Sequence, residues 1–438
     1  MGEHMADLVQ RLANALGRTR DPIPPPAPVL IDSHDDWNHH RIRLQDGPVP
    51  LNVDILAATD RAATRTVYLL PGGGLNTAAD FLTPRGRGLA HFLCANGFLV
   101  IGVSPREDGL TSVRPDVRDW GLVRHRQDVL RVVGAVHSVL PMPYDLLGHS
   151  AGAVLALDVA AAAAAAEAGS AGAGAAAAGA APAGSAPAGD VPVPGPVRVL
   201  VMDTTGPYDP RTEPELVARA EALLAATREL LAQGTLVVDP GLKALFARAA
   251  ADPLGSSPVP RPVEGPASCF TNAGLLHYAL THTRRLPGPA NWIYHQGFSS
   301  GSYRFRARAE EDRFALDHTP IGVWSAAVDQ LGSGVQPTAL LRDLAAVWAG
   351  REDVHRIDWS AVRAEVIWVN AGLGRGDHDR GARLIRERSG SPVRFTVVPG
   401  YGHGDVVWSA TAGVDVWPSL VAAPALRGPA LLPSPTPS

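Results

Sequence analysis

Cysteine is scarce in this 438-residue sequence: only Cys94 and Cys269 occur, far apart and outside any CxxC pattern. Two such residues exclude a disulfide framework and a cysteine-ligated zinc site. A large excess of charge of either sign is also missing, since the formal net charge is -4, and this excludes a polybasic nucleic-acid-binding surface. We therefore expect no nucleic acid as a partner and a location in the reducing cytoplasm.

Long apolar runs are missing as well. The N-terminal residues lack the basic region and continuous apolar segment that mark a secretory signal. The alanine run at 160–166 is followed by Glu167, glycine and serine, which favours a loop or a frayed helix end over a membrane span. The sequence thus predicts no transmembrane segment.

The composition is that of a globular protein, with 46% hydrophobic and 19% charged residues. We expect one large domain with insertions. Three segments are predicted to lie outside its core: an N-terminal extension (1–30), a flexible Ala/Gly/Pro insertion (161–196) and a disordered tail (426–438). Residues 161–196 in particular cannot bury enough side chain to offset the entropy lost on ordering.

Short β-rich runs alternate with helical patterns along most of the chain. This alternation predicts an α/β fold with a mostly parallel central sheet and helices on both faces. An Asp-Gly pair between two alternating segments within 39–56 predicts antiparallel strands at the sheet edge. The β-rich runs are TVYLL (66–70), FLVIGV (98–103), YDLLG (144–148), VRVLVMD (197–203), EVIWVN (365–370) and VRFTVVP (393–399).

The alternation of predicted strands and helices stops over residues 206–360. This stretch is longer than one connection between two parallel strands requires. Helical patterns in this stretch predict a cap or lid insertion over the carboxyl edge of the sheet, dividing the core into 31–205 and 361–425. Aromatic residues late in the insertion fit either its own core or the lining of an apolar pocket. These aromatics are Trp292, Tyr294, Phe298, Tyr303, Phe305, Phe314 and Trp324.

A G-x-S-x-G pattern joins a predicted strand to a predicted helix. Gly148 and Gly152 flank His149, Ser150 and Ala151, and a Cβ at either glycine would collide with the turn. Such a turn pushes the serine outward as a nucleophile elbow. The Ala151 amide lies at the helix N-terminus, where unpaired N–H groups favour a developing negative charge.

The elbow in this context resembles that of the α/β-hydrolase fold family, in its serine esterase and lipase-like branch. The sequence Pro71-Gly72-Gly73-Gly74 follows a predicted strand, where the family carries its oxyanion-hole loop. The resemblance implies that the N–H groups of Gly73 and Ala151 form the oxyanion hole. Proline replaces the histidine that usually braces this loop, which affects the geometry of the loop more than its chemistry.

The segment PGYGHGD (399–405) follows the last predicted strand and looks like the family's histidine loop. The resemblance implies that His403 is the general base for Ser150. Loops at the carboxyl ends of parallel strands converge at one edge of the sheet, which is consistent with contact between the two residues.

The family's catalytic triad also contains an acid, which the sequence marks less clearly than the serine and the histidine. The family order is serine, acid, histidine, and the acid commonly follows the strand before the histidine strand. That strand is followed by AGLGRGDHDRG, so Asp377 is the expected acid, in a longer loop than usual. Asp379 in the same loop and Asp203, at the end of VRVLVMD, are the alternatives.

These residues imply a serine hydrolase of carboxylic esters that works through an acyl-enzyme on an apolar, medium-to-large substrate. An acyltransferase or cyclising thioesterase of specialised metabolism would need the same triad. A non-catalytic, hydrolase-like binding protein is a third possibility. The expected partner is a small-molecule ester or acyl compound, with no cofactor and no metal, and the sequence gives no oligomeric state.

Overall fold

A nine-stranded mixed sheet forms the centre of the protein. The computed structural model describes residues 2–17, 27–45, 49–177, 193–263 and 268–422. The spatial order of the strands is β1-β2-β3-β5-β4-β6-β7-β8-β9. They span β1 Val29–Ser33, β2 Trp37–Leu44, β3 Leu51–Ala58, β4 Arg65–Leu70, β5 Phe98–Val103, β6 Tyr144–His149, β7 Arg198–Met202, β8 Glu365–Ala371 and β9 Val393–Val398.

The sheet is parallel from β5 to β9 and antiparallel only at the edge formed by β1, β2 and β3. The inner parallel strands are continuous apolar runs, as expected of strands covered on both faces. β2 and β3 pair from Trp37 with Ala58 to Leu44 with Leu51, as the hairpin pattern predicted. The mostly parallel sheet inferred from the sequence is confirmed.

Helices cover both faces of this sheet. Successive residues of one strand point to opposite faces, so Leu146 packs in one core and Leu147 in the other. The helices are α1 Gly2–Leu16, α2 Leu89–Ala95, α3 Leu122–Val139, α4 Ala151–Ala177, α5 Pro214–Ala232, α6 Leu242–Ala251, α7 Asn272–Thr281, α8 Ile321–Asp329, α9 Thr338–Ala349 and α10 Arg380–Ser389, followed by the short helices Asp405–Trp408, Ala412–Asp415 and Pro418–Val421.

Two segments that the sequence predicts to lie outside the core form helices in the structure. Much of the N-terminal extension is α1, whose Val9, Leu12 and Leu16 are buried in the main core. Residues 161–177 continue α4, because alanine has the highest helix propensity and the preceding turns are already packed. The rest of the Ala/Gly/Pro segment, up to residue 192, lies outside the described residues, as does the tail 426–438.

The interruption predicted between the two halves of the core lies between β7 and β8. It contains helices α5 to α9, and α5 packs on α9. It also contains three short antiparallel ribbons that the sequence did not suggest: Val237–Val238 with Gln336–Pro337, Ser256–Pro260 with Cys269–Thr271, and Gly301–Arg304 with Arg313–Leu316. Among the described residues, no helix is both long enough and apolar enough to cross a bilayer.

Candidate active site

Ser150 is the single residue between the end of β6 and the start of α4. Its φ of 56° is left-handed, and its N–H donates to the carbonyl of Met202 on β7 at 2.9 Å. A Cβ on Gly148 would overlap the carbonyl of Gly152, and one on Gly152 would overlap the carbonyl of Leu70. The two glycines are therefore required for the sharp turn that presents the serine.

The glycine loop after β4 lies against this serine. A Cβ on Gly72 would be 3.3 Å from Cβ of Ser150, and Gln336 of the insertion donates to the carbonyl of Gly73 at 3.2 Å. Ala151 is the first residue of α4, so its N–H has no acceptor within the helix. The predicted oxyanion groups, Gly73 and Ala151, both line the same cavity as Ser150.

His403 lies in the loop after β9 and is buried. Its Nδ1–H donates to Oδ2 of Asp203, the residue that follows β7. The loop itself is held by the insertion, because the amides of His403 and Gly404 donate to the carbonyls of Gly297 and Phe298 at 3.1 and 2.7 Å. Burial lowers the pKa of His403 to about 4, since loss of hydration outweighs the opposing effect of Asp203.

Asp203 is fully buried and has a left-handed φ of 44°. Its Oδ1 accepts N–H groups of Ala371 and Arg375, at 2.7 and 3.0 Å. Burial alone would raise the pKa of Asp203, but the hydrogen bond from His403 and the positive charge of Arg375 hold it below its ordinary value. The residue is therefore an ionised carboxylate oriented by the peptide groups that follow β8.

The structure places neither Asp377 nor Asp379 beside His403. The Asp377 side chain is 85% exposed and reaches only His295, at 4.0 Å, while Asp379 pairs with Arg383 at 3.1 Å. The reason is the fold of residues 372–376, which turn back on β8: the amides of Gly374 and Gly376 donate to the carbonyl of Ala371, and only the amide of Arg375 in this stretch donates to Asp203. Gly374 is needed there, because a Cβ would overlap the Asp203 carboxylate. The acid contacting the histidine is thus the sequence alternative, Asp203, and the expected Asp377 lies outside.

His149 has a larger role than its place in the elbow suggested. Its Nδ1–H donates to Asp80 at 3.0 Å and its Nε2–H to the carbonyl of His403 at 3.1 Å. A carboxylate and a carbonyl can only accept, so both ring nitrogens carry protons. Burial alone would lower the pKa of His149, but Asp80 raises it above its ordinary value. The ring is therefore an imidazolium.

Asp80 connects this imidazolium to the glycine loop, since its Oδ2 also accepts the N–H of Gly72 at 2.8 Å. The sequence did not single out Asp80, and the available signal was weak: one carboxylate in an otherwise apolar AADFL stretch. Asp80 and His149 together tie the glycine loop to the histidine loop.

A cavity of about 360 Å³ opens over Ser150 and His403. This volume lies within the range of small-molecule sites. Both interpretations of the aromatic residues apply. Tyr303 and Phe305 pack with Phe270 in a separate cluster. The aromatic residues that line the cavity are Tyr294, Phe298, Trp324, Trp348 and Trp408.

No family model matches the sequence, and no curated protein does. Among solved structures, a candidate lipase from Sulfolobus solfataricus superposes with a TM-score of 0.54 at 15% identity, covering 91% of this chain and 96% of its own. The chain has the α/β-hydrolase fold. A carboxyl esterase from Bacillus coagulans also matches, with a TM-score of 0.44 at 15% identity over 83% of this chain and 91% of its own. Identities this low show the fold and leave the activity open.

In this α/β-hydrolase fold the predicted residues Ser150, His403, Gly73 and Ala151 border one cavity. Within the described ranges, no group of three or more His, Cys, Asp or Glu side chains is placed to hold a metal ion. The polar groups that line the cavity include the Ser150 side chain, the imidazole of His403 bonded to Asp203, and the backbone of Gly73 and Ala151.

Proposed function

We propose that this protein is a serine hydrolase of carboxylic esters that uses Ser150, His403 and Asp203. The observation that supports this most strongly is the buried hydrogen bond from His403 to Asp203, at the wall of the cavity into which Ser150 opens. A serine at a strained strand-to-helix turn and a histidine oriented by a carboxylate are the parts that acyl transfer needs.

In the proposed reaction, Oγ of Ser150 attacks the ester carbonyl while Nε2 of His403 takes the hydroxyl proton. Asp203 keeps the other proton on Nδ1, so that Nε2 is free to act as the base. The carbonyl oxygen gains negative charge and accepts N–H groups from Gly73 and Ala151. His403 then protonates the leaving alkoxide, and water activated by the same imidazole releases the acid.

The substrate's acyl part would lie among the aromatic residues that line the cavity. Its volume of about 360 Å³ accommodates an acyl group of medium size, and its mostly apolar wall favours one with little polarity near the ester. Desolvation of that group by the rings contributes to binding roughly in proportion to the apolar area removed from water.

The intact mass of the protein after treatment with a fluorophosphonate tests the proposal, because this probe labels activated serines. One adduct is expected on the wild type and none on Ser150→Ala. Asp203→Asn should label much more slowly, and the matched variant Asp377→Asn at the wild-type rate. An unlabelled wild type would contradict the proposal and favour a binding protein.

A further inference from the structure

We propose that the cavity contains a carboxylate-binding subsite built on Arg375, so that the preferred ester carries a negative charge on its acyl group. This inference rests on the proposed ester hydrolysis and specifies its substrate class: half-esters of short dicarboxylic acids. It comes from buried hydrogen-bond donors around the cavity that the triad does not use.

Arg375 lines the cavity, yet only 3% of its surface is exposed. Its Nε and Nη1 have no hydrogen-bond partner among the described residues. Burial of a guanidinium without a partner is costly, and buried charges are ordinarily paired. The side chain borders a ligand-sized cavity, so we infer that the missing partner is part of the ligand.

The surroundings of Arg375 balance its charge only in part. The guanidinium carbon lies 4.7 Å from the centre of the Tyr294 ring and 5.7 Å from that of Trp348. Aromatic faces stabilise a cation but leave in-plane N–H groups without acceptors. Asp203 contributes negative charge nearby, but it accepts from His403 and from the Ala371 and Arg375 amides.

Two further donors near Arg375 lack acceptors. The indole Nε1 of Trp348, which also lines the cavity, and the hydroxyl of Tyr208 are buried without a partner in the described structure. The Tyr208 phenol is close enough for the charge of Arg375 to act on its pKa, although burial raises that pKa overall. Tyr208 lies behind the lining, but the guanidinium and the indole N–H belong to lining residues and can only donate, so the complementary group is an anion with several acceptor lone pairs.

A carboxylate fits this set, because its two oxygens match the fork of a guanidinium. The carboxylate that the protein itself contributes to the lining, Asp239, lies at the exposed rim, and its Oδ1 accepts the N–H of Gly241 at 2.7 Å. The anionic partner therefore has to come with the substrate.

The position of Arg375 limits the length of that substrate. The centre of the Tyr294 ring lies 4.7 Å from the guanidinium carbon of Arg375 and 5.1 Å from the centre of the His403 ring. Because both distances are measured from one ring, the guanidinium carbon and the centre of the His403 ring are less than 10 Å apart. A few methylene groups between the carboxylate and the ester carbonyl span this separation.

The test compares two p-nitrophenyl esters of equal length, the half-ester of adipic acid and its neutral terminal amide. We expect the wild type to favour the charged ester in kcat/KM by roughly 10- to 100-fold, since the neutral ester leaves the buried donors unpaired. Arg375→Met should abolish this preference, whereas Arg375→Lys, a point charge without the fork, should keep part of it.

Matched controls separate this effect from a general loss of structure. Arg383→Met removes an exposed arginine that pairs with Asp379 and should leave the preference unchanged. Trp348→Phe keeps an aromatic side chain, although a smaller one, but removes Nε1, and should lower the preference about threefold. Arg375→Met should melt close to the wild type, because Nε and Nη1 of the buried guanidinium that it removes have no hydrogen-bond partner among the described residues.

The outcomes distinguish the two proposals. Fluorophosphonate labelling of Ser150 together with equal kcat/KM for both esters would overturn the anion subsite and leave the hydrolase assignment standing. If neither labelling nor turnover occurs, the hydrolase assignment fails, and the subsite is then tested by binding. Millimolar adipate should raise the melting temperature of the wild type but not that of Arg375→Met, and an equal shift in both would reject the subsite.

Discussion

The Nε2–H of His149 donates to the backbone carbonyl of His403 at 3.1 Å. The residue before the proposed nucleophile therefore holds the loop that carries the proposed base. Because the other ring nitrogen of His149 is bonded to Asp80, which also accepts the N–H of Gly72, a single imidazolium fixes two loops relative to the serine.

Replacing His149 by Gln should lower kcat roughly 10- to 100-fold with little change in KM, because small displacements of reacting groups are costly. The rate of fluorophosphonate labelling should fall in parallel. His277→Gln is the matched control, since His277 lies in α7 and its Nδ1 hydrogen-bonds to the carbonyl of Ala273, one turn earlier in the same helix. An unchanged kcat in His149→Gln would show that the connection between the loops does not matter for turnover.

Asp203→Asn should reduce kcat roughly 10⁴-fold, because an amide N–H in place of the carboxylate oxygen favours the wrong tautomer of His403. Asp377→Asn should stay within about twofold of the wild type, since this side chain is exposed and lies away from His403. Steady-state kinetics with a single ester measures the kcat of both variants. The opposite pattern would restore Asp377 as the acid.

The pH dependence of kcat/KM should show activity well into the acidic range. A general base works only when neutral, and burial lowers the pKa of His403 to about 4, so the acidic inflection should lie near pH 4 instead of near 6.5. At alkaline pH the rate should fall as His149 loses its proton, at a pKa above its ordinary value. An acidic inflection at pH 6.5 or higher would contradict this.

Stability should decrease at alkaline pH because of a second buried pair. Burial would lower the pKa of His125, but the charge and hydrogen bond of Glu107 raise it to about 9. Because the pKa of His125 is higher in the folded state than in the unfolded state, protonation of His125 stabilises the fold. This contribution, about 3 kcal/mol, is fully present below the unfolded-state pKa of 6.5 and is lost as the pH rises through 9.

Urea unfolding at pH 6 and pH 10 measures the contribution of His125. His125→Gln should flatten the change in unfolding free energy between these pH values, whereas His277→Gln should not. An equal change in unfolding free energy between pH 6 and pH 10 in the wild type and in His125→Gln would show that another group causes the pH dependence.

The fold and half of the site were predictable because they depend on local patterns. Apolar runs of strand length located most of the sheet, and the glycines around Ser150 require a turn that a short sequence can specify. His403 follows a recognisable strand. In each case the signal and the structure lie within a few neighbouring residues.

The remaining residues depend on contacts between distant segments. Asp203 lies beside His403 because residues 372–376 fold back onto it, and single-sequence patterns do not encode this contact. Gly374, where a Cβ would overlap Asp203, is the residue of that loop whose type reflects the contact. Asp80 and Arg375 were missed for the same reason. An aspartate in a short helix and an arginine after a strand look like surface residues until the burial is known.

The amide of Ser150 bonds to β7, and that of Asp203 to the carbonyl of Val369 on β8. The sheet therefore sets the spacing between the proposed nucleophile and the proposed acid, whereas the loop of His403 is held in part by carbonyls at Gly297 and Phe298 of the insertion. In engineering terms, the proposed nucleophile and acid belong to the scaffold, whereas the alignment of the proposed base also depends on the insertion. Replacing the insertion would therefore alter both the ester that is accepted and the alignment of the imidazole, so selectivity and turnover are expected to change together.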